Sequence, residues 1–277
     1  MQVSRVAVAD DGTDTLGVID ESAGTVTEID IEADTLEEAL LAGESWSSLQ
    51  DAASGAEHDL DDVSVLAPVE RPLNLIGIGL NYAGHAAEGG FDVPEEPIFF
   101  AKSPSSITDP GSTIVRHEGV TDLHYEAEFG FVVGETARKV SADDALDHVF
   151  GFLAANDVTA RDMQLADLDA ANPWFRSKSM DTFTPLSPVS PVGEGIDPGE
   201  NDIEARLNGE TVQSSNTSDL IFTVEEALEY VTDHVTLHPG DVVITGTPEG
   251  VGSMEPGDVI EVDVEGVSTL KNEVGAP

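Results

Sequence analysis

Leu123-His124-Tyr125-Glu126-Ala127-Glu128-Phe129-Gly130-Phe131-Val132-Val133 is the stretch from which the rest of the chain is read. Side chains on a strand alternate between faces. The odd positions Leu123, Tyr125, Ala127, Phe129, Phe131 and Val133 then form an unbroken apolar stripe, and the even positions present His124, Glu126, Glu128 and Gly130. A strand with one wholly apolar face covers a core. Its two carboxylates, two residues apart, aim at one point. At about 5 Å and an effective dielectric near 20 they repel by roughly 3 kcal/mol, so a sheltered pair needs a cation or a raised pKa. Oxygen-only ligands suit Mg²⁺, Mn²⁺ or Ca²⁺ rather than zinc. The plainer reading is an exposed strand face in a chain rich in Asp and Glu.

Upstream, the chain reads as a small β-rich unit. Val3–Val8, Thr15–Ile19 and Thr25–Ile29 are short alternating or β-branched runs between Asp/Gly turns, and Thr35–Leu41 and Ser45–Ala53 have a helical pattern. Val63–Val69 leads back to Arg71-Pro72, the expected boundary between a small N-terminal domain (1–70) and the main body (71–277). In the body, Leu73–Gly79, Pro97–Lys102, Ser112–Arg116 and Phe150–Asp157 are predicted strands, and Asn208-Gly209 within Ala205–Gln213 marks a hairpin. Val224–Asp233 is a predicted helix, and Val242–Thr245 and Val259–Val264 close the chain as strands. Strands outnumber helices without alternating regularly with them, which predicts an α+β fold rather than a doubly wound sheet.

The chain of 277 residues carries 55 Asp+Glu against 11 Lys+Arg, a formal net charge of -44. Such a field repels nucleic acid and anionic membrane, so neither is an expected partner. The carboxylates run from Asp10 to Glu273 rather than in one block. An evenly acidic, lysine-poor surface is the pattern of a cytoplasmic protein in a salt-accumulating cell, where cations screen self-repulsion. No apolar run approaches the roughly 20 residues of a membrane span, and no signal-peptide pattern opens the chain. The absence of cysteine excludes disulfides and thiolate metal sites. Where basic residues are this scarce, each is expected to have a task. Lys178, one of four lysines, stands in Trp174-Phe175-Arg176-Ser177-Lys178-Ser179-Met180-Asp181.

Three further stretches carry chemistry. Asp157 sits where an apolar strand gives way to a polar turn; it offers a third carboxylate, or else a helix N-cap. Arg161 and Gln164 follow it at helical spacing. His85 and Glu88, in Asn81-Tyr82-Ala83-Gly84-His85-Ala86-Ala87-Glu88, lie side by side if helical, as a carboxylate-oriented imidazole base requires, and nearby glycines suit a mobile lid. Thr245-Gly246-Thr247-Pro248-Glu249-Gly250-Val251-Gly252 follows a strand and lacks the Lys of a phosphate loop; it is a plain turn or a backbone cradle for a carboxylate. A non-enzymatic alternative is an acidic calcium-binding module, but Asp10-Asp11-Gly12-Thr13-Asp14 lacks EF-hand spacing and the closing Glu.

Taken together and in order, Asn-Tyr-x-x-His-x-x-Glu, Glu-x-Glu, Asn-Asp-x-x-Ala-Arg-Asp-x-Gln, the Lys178 segment and Thr-Gly-Thr-Pro-x-Gly-Val-Gly resemble the fumarylacetoacetate hydrolase family, from Leu73 to the C-terminus. The resemblance implies a β-rich fold around a rolled, barrel-like sheet, and a homodimer. It implies Glu126, Glu128 and Asp157 as ligands of a divalent ion, usually Mg²⁺, with Mn²⁺ or Ca²⁺ as substitutes. His85 and Glu88 become a water-activating pair on a lid, Lys178 the charge that steadies an enolate, and Arg161, Gln164 and Thr247 substrate contacts. The implied substrate is a small 2-oxo acid. Hydrolysis of an acylpyruvate- or fumarylpyruvate-type C–C bond ranks first. Isomerisation of a 2-hydroxyhepta-2,4-diene-1,7-dioate or decarboxylation of oxaloacetate follows closely.

Overall fold

A computed structural model of the protein describes residues 1–8 and 14–277. The tract weighed as a calcium loop lies outside these residues except for Asp14, which opens a strand. The apolar stripe forms, but on two strands rather than one. Leu123–Tyr125 and Ala127–Val133 are separated at Glu126. There, side chains replace the ladder: the Glu126 N–H donates to Asn156 Oδ1 at 3.0 Å and the Ala127 N–H to Gln213 Oε1 at 3.0 Å. The chain uses this break to pass from one sheet to another.

Ala127–Val133 lies centrally in a six-stranded sheet, ordered Ser190–Pro191, Val149–Asn156, Ala127–Val133, Val242–Ile244, Leu75–Gly79, Ile98–Ala101. All pairs are antiparallel except Val242–Ile244 with Leu75–Gly79. Leu123–Tyr125 instead joins Thr159–Ala160 and Gly252–Ser253 in a three-stranded sheet. A five-stranded sheet contains Glu210–Asn216, Asp202–Leu207, Val259–Val264, Ser268–Gly275 and Thr113–Val115 in that order. Its first hairpin turns at Asn208 and Gly209, with φ of 54° and 83°, the left-handed pair that a two-residue turn between twisted strands requires. Ser268–Gly275 is a strand the sequence pattern conceals, because polar Ser268 and Asn272 alternate with Leu270 and Val274 at its inward positions.

Phe129, Phe131, Phe152, Ile203, Val262 and Leu270 join these two sheets in one core, with the Phe129 and Phe152 rings stacked at 5.2 Å. Helix Val224–His234, opened by a Thr223–Glu226 capping box, adds Ala227, Leu228 and Val231 to it. The result is the expected α+β fold, sheet-rich, with a curled half-barrel sheet.

The first 65 residues supply an antiparallel five-stranded sheet, ordered Glu57–Asp59, Thr25–Glu28, Asp14–Asp20, Gln2–Val8, Val63–Val65, and helices Leu36–Leu41 and Trp46–Ala52. It covers the other face of the six-stranded sheet. Val3 and Val189 exchange backbone hydrogen bonds of 2.8 and 2.9 Å, and Leu16, Leu36 and Leu49 pack with Val132, Leu153 and Ile244. With both faces sealed, the strand ends near Gly79, Ala127, Asn156 and Ile244 are where a site opens. No helix among the described residues is long and apolar enough to cross a membrane.

Candidate active site

Glu126 and Glu128 share one side of the broken strand, as alternation predicts. The register Ala127↔Asn156 brings Asp157 beside them, and its N–H donates to the Glu126 carbonyl at 2.9 Å. Oxygens of the three carboxylates lie within 4.8 Å of one another, the one such group among the described residues. All three side chains are almost fully buried, so the exposed-face reading is excluded. The helix-cap reading of Asp157 is excluded as well: helix Arg161–Asp169 starts after Ala160, with no side-chain cap.

Two lysines enter this cluster. Short helix Phe175–Lys178 delivers Lys178 Nζ to 2.6 Å from Glu126 Oε2 and 2.5 Å from Asp157 Oδ2. Lys102, at the end of strand Ile98–Ala101, donates to Asp157 Oδ1 and, at 3.1 Å, to the Phe183 carbonyl. Lys102 lies outside every motif that marks the other site residues. The signal was available, because the scarcity argument applied to Lys178 applies equally to it.

Burial and pairing pull these groups apart electrostatically. Burial alone would raise the Glu126 carboxyl, but Lys178, Arg161 and His85 outweigh it and hold it well below the usual carboxylate range. Glu128 goes the other way, pushed well up by burial, then by Asp157 and Glu126 beside it. Burial would lower the Lys178 ammonium, yet Asp157 and Glu126 reverse that and raise it. For Lys102 burial prevails and the shift is downward. Lys178 offsets part of that rise, but neither lysine nor arginine forms an ion pair with Glu128, which accepts from the Gly246 N–H at 2.7 Å. Buried beside two further carboxylates, Glu128 is short of positive charge. A buried, all-carboxylate donor set with such a deficit fits a hard divalent ion.

Above the floor lies a cavity of ≈ 270 Å³ that contains every predicted site residue: His85, Glu88, Glu126, Glu128, Asp157, Arg161, Gln164, Lys178 and Thr247. Arg161 is held on three sides, donating to Glu126 Oε1, to Gln164 Oε1, and through Nε to His124 Nδ1 at 3.4 Å. His124 in turn lies 3.1 Å from Asp122. Its ring is shifted downward by burial and by Arg161, which keeps Nδ1 free to accept. Thr247 is fixed by Gln213, whose Nε2 donates to Thr247 Oγ1 and to the Pro248 carbonyl, both at 2.8 Å. One side chain thus ties the broken strand to the glycine-rich loop. Nothing in the local sequence announces Gln213, since its partners are remote in the chain. Gly246, at φ 100°, is obligatory there: a Cβ would meet Asn81 Cβ at 2.9 Å and the Ile78 carbonyl at 3.0 Å.

Helix Ala83–Glu88 carries His85 and Glu88 over the cavity. Asn81 anchors its start, donating to the Thr245 carbonyl at 2.8 Å and accepting from the Phe222 N–H at 2.9 Å. The two side chains are neighbours but not bonded: His85 Nδ1 stands 3.6 Å from Glu88 Oε2. Glu88 instead accepts from the Gly250 N–H at 3.2 Å.

The family described as Fumarylacetoacetate (FAA) hydrolase C-terminal matches residues 74–275. The chain is 40% identical over 230 residues to an oxaloacetate tautomerase of Bacillus subtilis, covering 79% of this chain and 75% of that protein. It superimposes with a TM-score of 0.87 on a fumarylacetoacetate hydrolase from psychrophilic Exiguobacterium antarcticum, 36% identical over 100% of both chains. For a 2-hydroxyhepta-2,4-diene-1,7-dioate isomerase from Mycobacterium marinum the TM-score is 0.81, at 29% identity over 100% of this chain and 98% of that one. This chain belongs to the fumarylacetoacetate hydrolase family.

Proposed function

We propose that the protein is a divalent-metal enzyme that interconverts keto and enol forms of a small 2-oxo acid. Tautomerisation or isomerisation ranks first and C–C hydrolysis second, the reverse of the ranking drawn from sequence. The carrying observation is the buried Glu126–Glu128–Asp157 cluster with Lys178 lodged between two of its members. The names of the relatives, an oxaloacetate tautomerase and a dienedioate isomerase, support the reordering.

Glu126, Glu128 and Asp157 would hold the ion, Mg²⁺ before Mn²⁺ or Ca²⁺, which when bound supplies Lewis-acid polarisation of the substrate carbonyl. Arg161 and Gln164 orient the acid end, and Thr247 contacts it from the opposite wall. Lys178, kept charged by its carboxylate neighbours, stabilises negative charge that develops on the substrate oxygen. His85 Nδ1 stands 3.6 Å from Glu88; closing that gap over bound substrate would orient the imidazole so that Nε2 takes the proton from the carbon beside the carbonyl and returns it to oxygen. Hydrolysis asks the same imidazole to deprotonate a water, and the His85–Glu88 neighbourhood keeps that second reading open. A homodimer fits the exposed apolar side chains Leu73 and Phe175 on so acidic a surface. A salt-rich cytoplasm fits the charge of -44.

The test is enol–keto conversion of oxaloacetate and of an acylpyruvate by purified protein in molar KCl with Mg²⁺. Conversion that stops with EDTA and returns with Mg²⁺ is expected; conversion unaffected by EDTA would refute the metal role.

A further inference from the structure

Helix Arg161–Asp169 offers one face to the cavity. Arg161, Gln164, Leu165 and Leu168 fall at i, i+3, i+4 and i+7, and all four line it. The polar pair lies at the floor end and the leucine pair towards the mouth. Leu165 is 53% exposed although it is a large apolar side chain on an acidic protein. The same cavity is lined by Trp174, which packs over Gly79, by Phe100, in edge contact with Trp174 at 5.5 Å, and by Phe91, itself 41% exposed. Exposed Leu165 and Phe91 and half-buried Leu168, Trp174 and Phe100, from four separate segments, therefore line one cavity.

The charges are distributed in the opposite sense. The lysine and arginine that line the cavity are both engaged at the floor: Lys178 with Glu126 and Asp157, Arg161 with Glu126, Gln164 and His124. Towards the mouth the charged side chain is Glu88, an anion. A second carboxylate on the substrate would meet leucines, aromatic rings and a like charge.

Resting on the reading above, we infer that this site selects 2-oxo acids whose far end is uncharged and apolar, an aryl or branched alkyl group, over 2-oxo dicarboxylates. Leu165, Leu168 and Trp174 determine that selection. Seven residues at about 1.5 Å rise put the far leucine roughly 10 Å along the helix from Arg161, room for a ring beyond the oxo acid.

Benzoylpyruvate and oxaloacetate serve as probes, with the intact protein in Mg²⁺ and molar KCl. Calorimetric Kd and kcat/KM are both measured. Benzoylpyruvate is expected to bind at least about tenfold more tightly. Leu165→Arg, at an exposed position that leaves the floor intact, is expected to shift the ratio of Kd values about tenfold towards oxaloacetate. Tighter binding of oxaloacetate by the unaltered protein, or an unchanged ratio in both Leu165→Arg and Trp174→Arg, overturns the inference. Selective binding of benzoylpyruvate without turnover of either compound would instead overturn the proposed activity and leave the inference standing.

Discussion

Glu126, Glu128 and Asp157 stand on strand ends sealed on both faces by core, whereas His85 and Glu88 ride on a six-residue helix bordered by Gly89 and Gly90. The floor is tied by buried contacts at 2.5 to 2.6 Å from Lys178; on the short helix, His85 and Glu88 remain 3.6 Å apart. On the proposed mechanism, the difference separates two tasks. Charge stabilisation works best when the dipoles and ions are set before the substrate arrives, since nothing must then reorganise during the reaction. Proton transfer needs groups brought into reach over a bound substrate, and such contacts are commonly long until the substrate is present.

Breaking the floor should have the largest effect. Glu126→Gln keeps shape but removes one ligand charge and one partner of Lys178. Metal affinity and turnover should fall together, turnover by about a thousandfold or more, as seen in parallel Mg²⁺ titrations by calorimetry and by activity. Full turnover with weakened binding would detach the cluster from the chemistry.

Breaking the lid should cost less. His85→Ala should lower proton-transfer turnover by about 10²–10⁴-fold with Mg²⁺ affinity unchanged. It should suppress any C–C hydrolysis more than oxaloacetate decarboxylation, for which the floor alone provides the stabilised charge. Lys178→Ala should depress both reactions alike. Equal loss of both in His85→Ala, with metal bound, would place His85 in substrate binding or lid closure.

The pKa contrast inside the floor sharpens the comparison without measuring activity. Glu128 is raised on folding, so in metal-free protein its contribution is present below about pH 4.3 and is lost as pH rises through its elevated value. Glu126 is depressed, so its contribution is present above that range and is lost as pH falls towards its lowered value. Glu128→Gln should therefore stabilise metal-free protein at pH 8 by up to about 3 kcal/mol, read as a higher melting temperature, while abolishing stabilisation by Mg²⁺. Mg²⁺ binding by the unaltered protein should tighten with pH and release a proton. A destabilised, Mg²⁺-responsive Glu128→Gln would contradict the assignment.

Salt should act most weakly and least locally. Screening shortens from about 10 Å at 0.1 M to about 3 Å at 1 M, so the surface carrying the charge of -44 gains stability while the buried floor is little affected. A melting temperature that rises by several degrees between dilute buffer and molar KCl, with Mg²⁺ affinity per site nearly constant, is the expected pair of results. An unchanged melting temperature would remove the basis for a salt-rich cytoplasm.

Local pattern and composition were enough to determine part of this protein. The period of two in Leu123–Val133 placed both glutamates on one side, Asn208-Gly209 specified its turn, and lysine scarcity singled out Lys178. Each depends on backbone geometry within a few residues or on composition, and both are written directly in the chain. Tertiary structure decided the rest. The break at Glu126 arises from Asn156 and Gln213, side chains remote in sequence that capture two backbone N–H groups. Lys102 and Asp157 meet through buried packing, Gln213 ties Thr247 to the floor, and Leu165 gains a role only because Phe91 and Trp174 face the same cavity. Most of these contacts join residues separated by tens of positions, and local periodicity carries no information about which remote side chain will complete a buried hydrogen bond or a shared wall.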